Sequence, residues 1–161
     1  MKIPKLALFI VLASLTLFYI ILTWPGLDSD LTAYVRGDYE TAAKEFREAA
    51  EQGDAKAQHY LALLYDGGKG VPQDDAEAIK WYGKAAEQGY AAAQYNLSMV
   101  YYFGKGVPQD YVAAYKWLML AAGQGEKHAS DAMTAMAEKM SGEQITAAQE
   151  AARAWSEKHA R

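Results

Sequence analysis

The chain has 161 residues, a net charge of −4 and no cysteine. That length suits about one domain, and the missing cysteines exclude a disulfide framework and a thiolate metal site. The acidic balance offers no basic face for phosphates, so nucleic acid is not an expected partner.

The chain opens with Met1-Lys-Ile-Pro-Lys5, short and positive. From Leu6 to Trp24 there is no charge. As a helix rising about 1.5 Å per residue, this block reaches roughly 28 Å, close to a hydrocarbon core of about 30 Å. It is longer than the apolar region of most secretory signals, and Thr-Trp-Pro-Gly-Leu-Asp after it offers no good cleavage site. Tyr19 and Trp24 suit a membrane interface. Residues 1–26 are therefore expected to be an uncleaved signal-anchor, a transmembrane helix with its N-terminus in the cytoplasm. That would make the chain a single-pass inner-membrane protein with its remainder in the periplasm, if bacterial. A cleaved signal, giving a secreted or periplasmic protein, and a buried core helix are the alternatives. Pro25-Gly26 stops this block, and Leu27 to Arg36 can form a short helix capped by Asp28 or Ser29.

From Gly37 onward the chain repeats itself. Gly70-Val-Pro-Gln-Asp74 returns thirty-six residues later as Gly106-Val-Pro-Gln-Asp110. In the same register stand Gly53, Gly89 and Gly125, each preceded by Gln; Ala49-Ala50, Ala85-Ala86 and Ala121-Ala122; Trp81 and Trp117; Leu61 and Leu97; Tyr65 and Tyr101. Such a period decides the architecture before any other reading. Tyr39 to Gln52 predicts a helix, with Ala42, Ala43, Phe46, Ala49 and Ala50 on one face. Gly53 ends it, since glycine takes a left-handed backbone just past a helix. Asp54 caps the next helix, to about Asp66, with Ala57, Leu61, Leu64 and Tyr65 inward. After a Gly-rich loop, Asp74 caps a helix over 75–88, and Glu77 three residues on completes a capping-box pattern. Helices over 90–103 and 111–124 follow by the same rules. The unit then decays: 128–140 is helical, no turn motif follows, and Ser141-Gly-Glu-Gln144 starts a last helix to about Lys158. Small side chains let two antiparallel helices approach, and large ones fill the gaps between neighbouring hairpins, which must stack to bury a face none can bury alone. The expected fold is all-α: a short right-handed α-solenoid of stacked helical hairpins. Its units are 27–53 as an opening half-repeat, 54–89, 90–125, and 126–161 as a degenerate repeat with a capping helix.

Ala-x-Ala-Gln-x-x-Leu-x-x-x-Tyr, then Gly-x-Gly-Val-Pro-Gln-Asp, then Ala-x-x-Trp-Tyr-x-x-Ala-Ala-x-Gln-Gly resembles the Sel-1-like repeat, a relative of the tetratricopeptide repeat. Residues 54–89 and 90–125 match closely, and Ala33-Tyr-x-Arg-Gly-Asp-Tyr39 is similar to an opening half-unit. The Ser-Gly-Glu-Gln-Ile start of the final helix is also similar to the family's ending. The resemblance implies a scaffold: adaptors of membrane complexes, protein-turnover assemblies, host-interaction factors, exopolysaccharide machinery, and in some bacteria immunity proteins against secreted toxins. A cysteine-rich branch tied to β-lactam binding differs from this chain, which lacks those cysteines.

Gly67-Gly-Lys-Gly70 is not a phosphate loop, because a Gly follows the Lys and a helix precedes it. It reads as a turn. His59, His128 and His159 stand alone, with no acidic partner at ligand spacing. No catalytic, cofactor-binding or metal-ligating residue is proposed, and an enzyme is disfavoured. Tyr65, Tyr82, Tyr101, Trp81, Trp117 and Trp155 hold repeat-core positions. The binding candidates are instead positions that differ between units: His59, Tyr60 and Leu63 in the first, and Tyr95, Asn96, Met99 and Tyr102 in the second. Lys56/Ala92 and Asp66/Tyr102 differ as well. These positions lie on the first helix of each unit, where tetratricopeptide-like stacks have their inner curve, and exposed Tyr and Met there would suit a protein or peptide partner. The expected function is a membrane-anchored protein-binding adaptor using that concave groove. The alternative is a periplasmic immunity protein that occludes a secreted toxin.

Overall fold

Three aspartates set the rhythm of the chain. Asp38, Asp74 and Asp110 each sit just before a 13-residue helix and accept a hydrogen bond from a backbone amide of its first turn. The computed structural model describes residues 29–160. Among them are eight helices and no strand: α1 (Ser29–Arg36), α2 (Tyr39–Glu51), α3 (Ala55–Gly67), α4 (Asp75–Glu87), α5 (Ala91–Phe103), α6 (Tyr111–Gly123), α7 (Ala129–Ala137) and α8 (Gly142–His159). The anchor expected over 1–26 lies outside the described residues. No helix among the described residues is long and apolar enough to cross a membrane.

Helices α2, α4 and α6 are copies in register, as are α3 and α5. Asp54 starts α3 by accepting from Ala57 N at 2.6 Å. Tyr90 holds the matching place before α5 and makes no side-chain cap, so α5 is held by packing rather than by its end. Ser141 forms the full reciprocal cap with Gln144. The capping box expected at Asp74 is only half built. Asp74 accepts from the amides of Ala76 and Glu77, but the Glu77 carboxylate turns forward, to Trp81 Nε1 at 3.0 Å and Lys80 Nζ at 2.8 Å. A charge-assisted bond to lysine competes well against one neutral amide.

The helices stack in sequence order as an all-α repeat solenoid. One core runs from α2 to α6 and a second from α6 to α8, with Tyr101 of α5 packed against both. Ala42, Ala78 and Ala114 are fully buried at one repeat position. The position filled by Phe46 in α2 takes Tyr82 in α4 and Leu118 in α6, all buried, so volume changes along the stack while the small contacts stay constant.

Two buried glutamines, Gln58 and Gln94, each joined by an exposed one, tie three successive helices together. Gln58 Nε2 donates to Ala50 O at the end of α2, and Gln88 Nε2 donates to Gln58 Oε1 at 2.7 Å. One repeat later Gln94 Nε2 donates to Ala86 O and Gln124 Nε2 donates to Gln94 Oε1 at 2.8 Å. Gln58 and Gln94 thereby give a second donor to helix-end carbonyls that also accept from the turn amides of Gly53 and Gly89. Ser130 stands at the third position in this register, and there the ladder stops.

The Gly-Val-Pro-Gln-Asp loop is a packed turn. Gly70 has φ +67°, and a Cβ there would lie 2.2 Å from the Tyr39 carbonyl, so the loop presses on the first turn of α2. Lys69 lies over the Tyr39 ring at 5.1 Å. In the next loop Lys105 reaches the matching residue, Asp75, at 3.4 Å and also pairs with Asp66.

The C-terminal unit departs from the pattern. Helix α7 ends at Ala137, short of the expected Met140, and two tight turns, Lys139 N to Met136 O and Met140 N to Ala137 O, lead into the Ser141 cap. Helix α8 lies on α6 and reaches past it: Trp155 Nε1 donates to Glu87 of α4 at 2.9 Å. Trp155 is thus half-buried at the edge of the stack.

Candidate partner-binding face

Helix α5 carries Tyr95, Asn96, Met99, Tyr102 and Phe103 at spacings of three and four, which place them on one side of a helix. Its neighbours on that side are α3 and α7. Toward α3, Asn96 Nδ2 meets His59 Nε2 at 2.9 Å. Toward α7, the Tyr95 ring approaches His128 at 6.4 Å, and Lys139 donates to the Tyr102 hydroxyl. Tyr95, Met99 and Tyr102 pack against the second core and are half-buried.

Burial removes one expected contact residue. His59 is 6% exposed, and its ring is enclosed by Tyr60, Tyr82 and Tyr90. Desolvation lowers its pKa from 6.5 to about 4, so the ring is neutral at neutral pH. Tyr60 is half-buried and works as packing: it stacks on Phe46 at 5.2 Å and meets Tyr34 of α1 edge-on at 5.4 Å. Leu63 is half-buried against the first core. The seven candidates therefore divide. His59 and Tyr60 belong to the α2–α3–α4 interior, Tyr95 and Tyr102 pack toward α7, and Asn96 and Met99 border open space.

That space is a hollow of about 180 Å³ lined by Asp66, Asn96, Met99, Phe103 and Lys105 above the Tyr82 ring. Phe103 is 70% exposed, with its ring 4.9 Å from Tyr102 in an edge-on contact. Leaving a large apolar ring in water carries a cost of the order of 2 kcal/mol relative to burying it. Phe103 was not among the sequence candidates. The signal was present in the register, since Gly67 holds the matching place in α3. Lys105 crosses the mouth of the hollow, its pKa raised chiefly by the hydrogen bond to Asp66. Burial pushes the Tyr82 phenol up, with the Asp66 carboxylate adding to the shift. Tyr82 is thus held neutral and Lys105 charged at neutral pH, and what the face offers chemically is apolar and aromatic contact edged by an amide and an ion pair. Among the described residues no cluster of three or more His, Asp or Glu is placed to hold a metal.

Stacked two-helix units, joined by glutamine amides and Gly-closed loops, define the class as a helical-repeat solenoid. The Sel1 repeat family model matches residues 31–54, 55–90, 91–126 and 130–161, and the chain belongs to the Sel1 repeat family. The last of these segments matches although its turn motif is gone. A protective antigen present in uropathogenic Escherichia coli strains, with an SLR fold, is similar at 34% identity and a TM-score of 0.71 over 73% of this chain. A Sel1 repeat protein from Oxalobacter formigenes is similar at 39% identity and a TM-score of 0.56 over 58% of this chain. The chain spans only 26% and 39% of the lengths of these two proteins. No curated protein matches the sequence.

Proposed function

We propose that the chain is a protein-binding adaptor that docks a partner segment on the α3–α5 face. The exposure of Phe103 beside a side-chain-sized hollow carries this reading. Repeat solenoids hold extended binding surfaces on rigid stacks, and aromatic and Met side chains are enriched where proteins meet. The hollow accommodates one apolar side chain, with the Asn96 amide and the Lys105–Asp66 pair at its rim. Residues 1–26 act in this reading as a signal-anchor, holding the solenoid beside a membrane on the non-cytoplasmic side and raising its local concentration near membrane partners. The uncharged run from Leu6 to Trp24 supports that part.

Co-purification from detergent-solubilised membranes tests the reading. The native chain is expected to retain a partner in stoichiometric amount, and Phe103→Ser to lose most of it with unchanged helicity and melting temperature. Equal retention by both chains rules the face out. Mass spectrometry of the mature N-terminus separately tests the anchor: an intact Lys2–Trp24 segment is expected, and a new N-terminus after residue 24 contradicts it.

A further inference from the structure

The C-terminal unit does not close its hairpin. In α3 and α5 one side-chain stripe meets two neighbours: Gln58 joins the ends of α2 and α4, and Gln94 joins the ends of α4 and α6. The stripe continues as Leu61 and Ala62 in α3 and as Leu97 and Ser98 in α5, and all of these side chains are buried. Its copy in α7 is Ser130, Met133, Thr134 and Ala137, spaced three and four apart on one helix side. Helix α7 keeps the earlier neighbour, α6, but α8 packs on α6 instead of pairing with α7. Ser130 and Thr134 are accordingly exposed, and Met133 is half-buried. With Tyr115 of α6, Ala137 and Glu138 they line a trough of about 590 Å³ on the side where the second helix of a hairpin lies in the earlier units. Ala137 stands where Tyr65 and Tyr101 stand, so this trough lacks a ring that both earlier units have. The Thr134 hydroxyl donates to Ser130 O, which leaves the floor suited to packing rather than to hydrogen bonding.

The chain's own last helix does not suit this trough. Counted from the caps, with Ser141 matching Asp74 and Asp110, Ile145 falls where Ala78 and Ala114 are buried, and Gln149 falls where Tyr82 and Leu118 are buried. A bulky branched side chain holds two helices apart at a contact built for alanine, and a buried glutamine needs partners that Met133 and Ala137 do not offer. The molecule shows twice what does fit. Helix α4 packs on α3 through Ala78, Tyr82 and Ala85, and α6 packs on α5 through Ala114, Leu118 and Ala121. We propose that a helix of this kind, small–large–small along its apolar face, comes from a partner protein and lies on α7, completing the hairpin in trans. Its small residues allow close approach, and its large apolar residue covers Met133 and Tyr115. Recognition of a helix in a groove draws on just such an apolar face. A second copy of the chain is a poor donor, because its α2, α4 and α6 are already packed in their own stack. The surface is separate from the α3–α5 face, so either can fail without the other.

The test titrates the full-length chain, in neutral detergent, with a capped peptide copying residues 74–88, the segment that covers α3. The methyl NMR resonance of Met133 is the readout, and Met119, on the α8 side, is the internal reference. The peptide is expected to shift Met133 saturably and to leave Met119 in place. The same peptide carrying Ala78→Leu and Ala85→Leu is expected to bind about tenfold more weakly, since added bulk at a close helix contact forces the helices apart. Thr134→Glu, at an exposed position, is expected to weaken the unmodified peptide by a similar factor at unchanged helicity and melting temperature. The proposal is overturned by no saturable Met133 shift, by equal binding of the two peptides, or by indifference to Thr134→Glu. A photo-reactive residue at position 134 tests the other occupants in cells. A crosslink to a second copy of the chain, to residues 1–26 or to α8 would give the trough to that segment and would also overturn the proposal.

Discussion

His59 shows how a single residue couples the stack to pH. Its folded pKa of about 4 lies below the ordinary 6.5 because burial disfavours the imidazolium. A depressed folded pKa means that the unfolded chain binds the proton first as pH falls. The stability that this residue contributes is therefore complete above about pH 6.5, declines as pH drops, and is gone near pH 4. The loss is about 3 kcal/mol at most. Urea midpoints from pH 7 to pH 4 are expected to fall with that profile, and more shallowly in His59→Gln; superimposable profiles would contradict the assignment. The repeat comparison placed His59 in a groove because Tyr95 replaces it one unit later. A mismatch between units does not mean freedom, however. Each first helix meets a different neighbour, and the two side chains differ because their packing partners differ. Glycines sort by the same logic. Gly37 has φ +80° and open space around it, while Gly70 adds the 2.2 Å approach to Tyr39. Gly37→Ala is expected to destabilise by about 1 kcal/mol through backbone strain alone. Gly70→Ala is expected to destabilise by clearly more, since backbone must move; equal thermal shifts in the two variants would remove the packing claim.

At the scale of elements, the helices were legible because punctuation and periodicity agreed. Asp before, Gly after, and alanines at one face in between fixed helices α2 to α6 to within a residue or two. Two features escaped that reading. The Ala-x-Ala-Gln and Gln-Gly motifs are visible as conserved register, but not as one hydrogen-bonded ladder, because the two glutamines of each rung lie thirty residues apart. The reach of α8 to Glu87 also escaped, because its contact lies 68 residues back and outside the repeat period. The ladder has a measurable weight. Gln94→Leu keeps similar bulk but removes the donor to Ala86 O, which keeps its turn bond from Gly89 N, and the acceptor of the exposed Gln124 amide. It is expected to destabilise by about 1 kcal/mol, the net worth of a typical lost hydrogen bond. Gln149→Leu, at an exposed position on α8, is the control and is expected to change stability by less than about 0.5 kcal/mol. A Gln94→Leu midpoint matching the control would show that the ladder is incidental.

For the molecule as a whole, repeat arithmetic foretold the stack, and the family match agrees with it. It could not tell which surface is left over. That depends on how α7 covers the α5 stripe and how Lys105 bridges the gap to α3, both set by contacts between units. Among the described residues the structure leaves one large apolar ring uncovered beside a hollow, while most of the other aromatic side chains described serve packing. The central claim is that a partner docks there. Site-specific photo-crosslinking in cells tests it most directly, with the reactive residue at position 103 of α5 and, separately, at position 84 of α4, whose exposed side chain lies over Trp81. A discrete crosslinked protein from position 103, absent from position 84, is the predicted result. Crosslinks of equal yield and identity from both positions, or none from position 103, would contradict it.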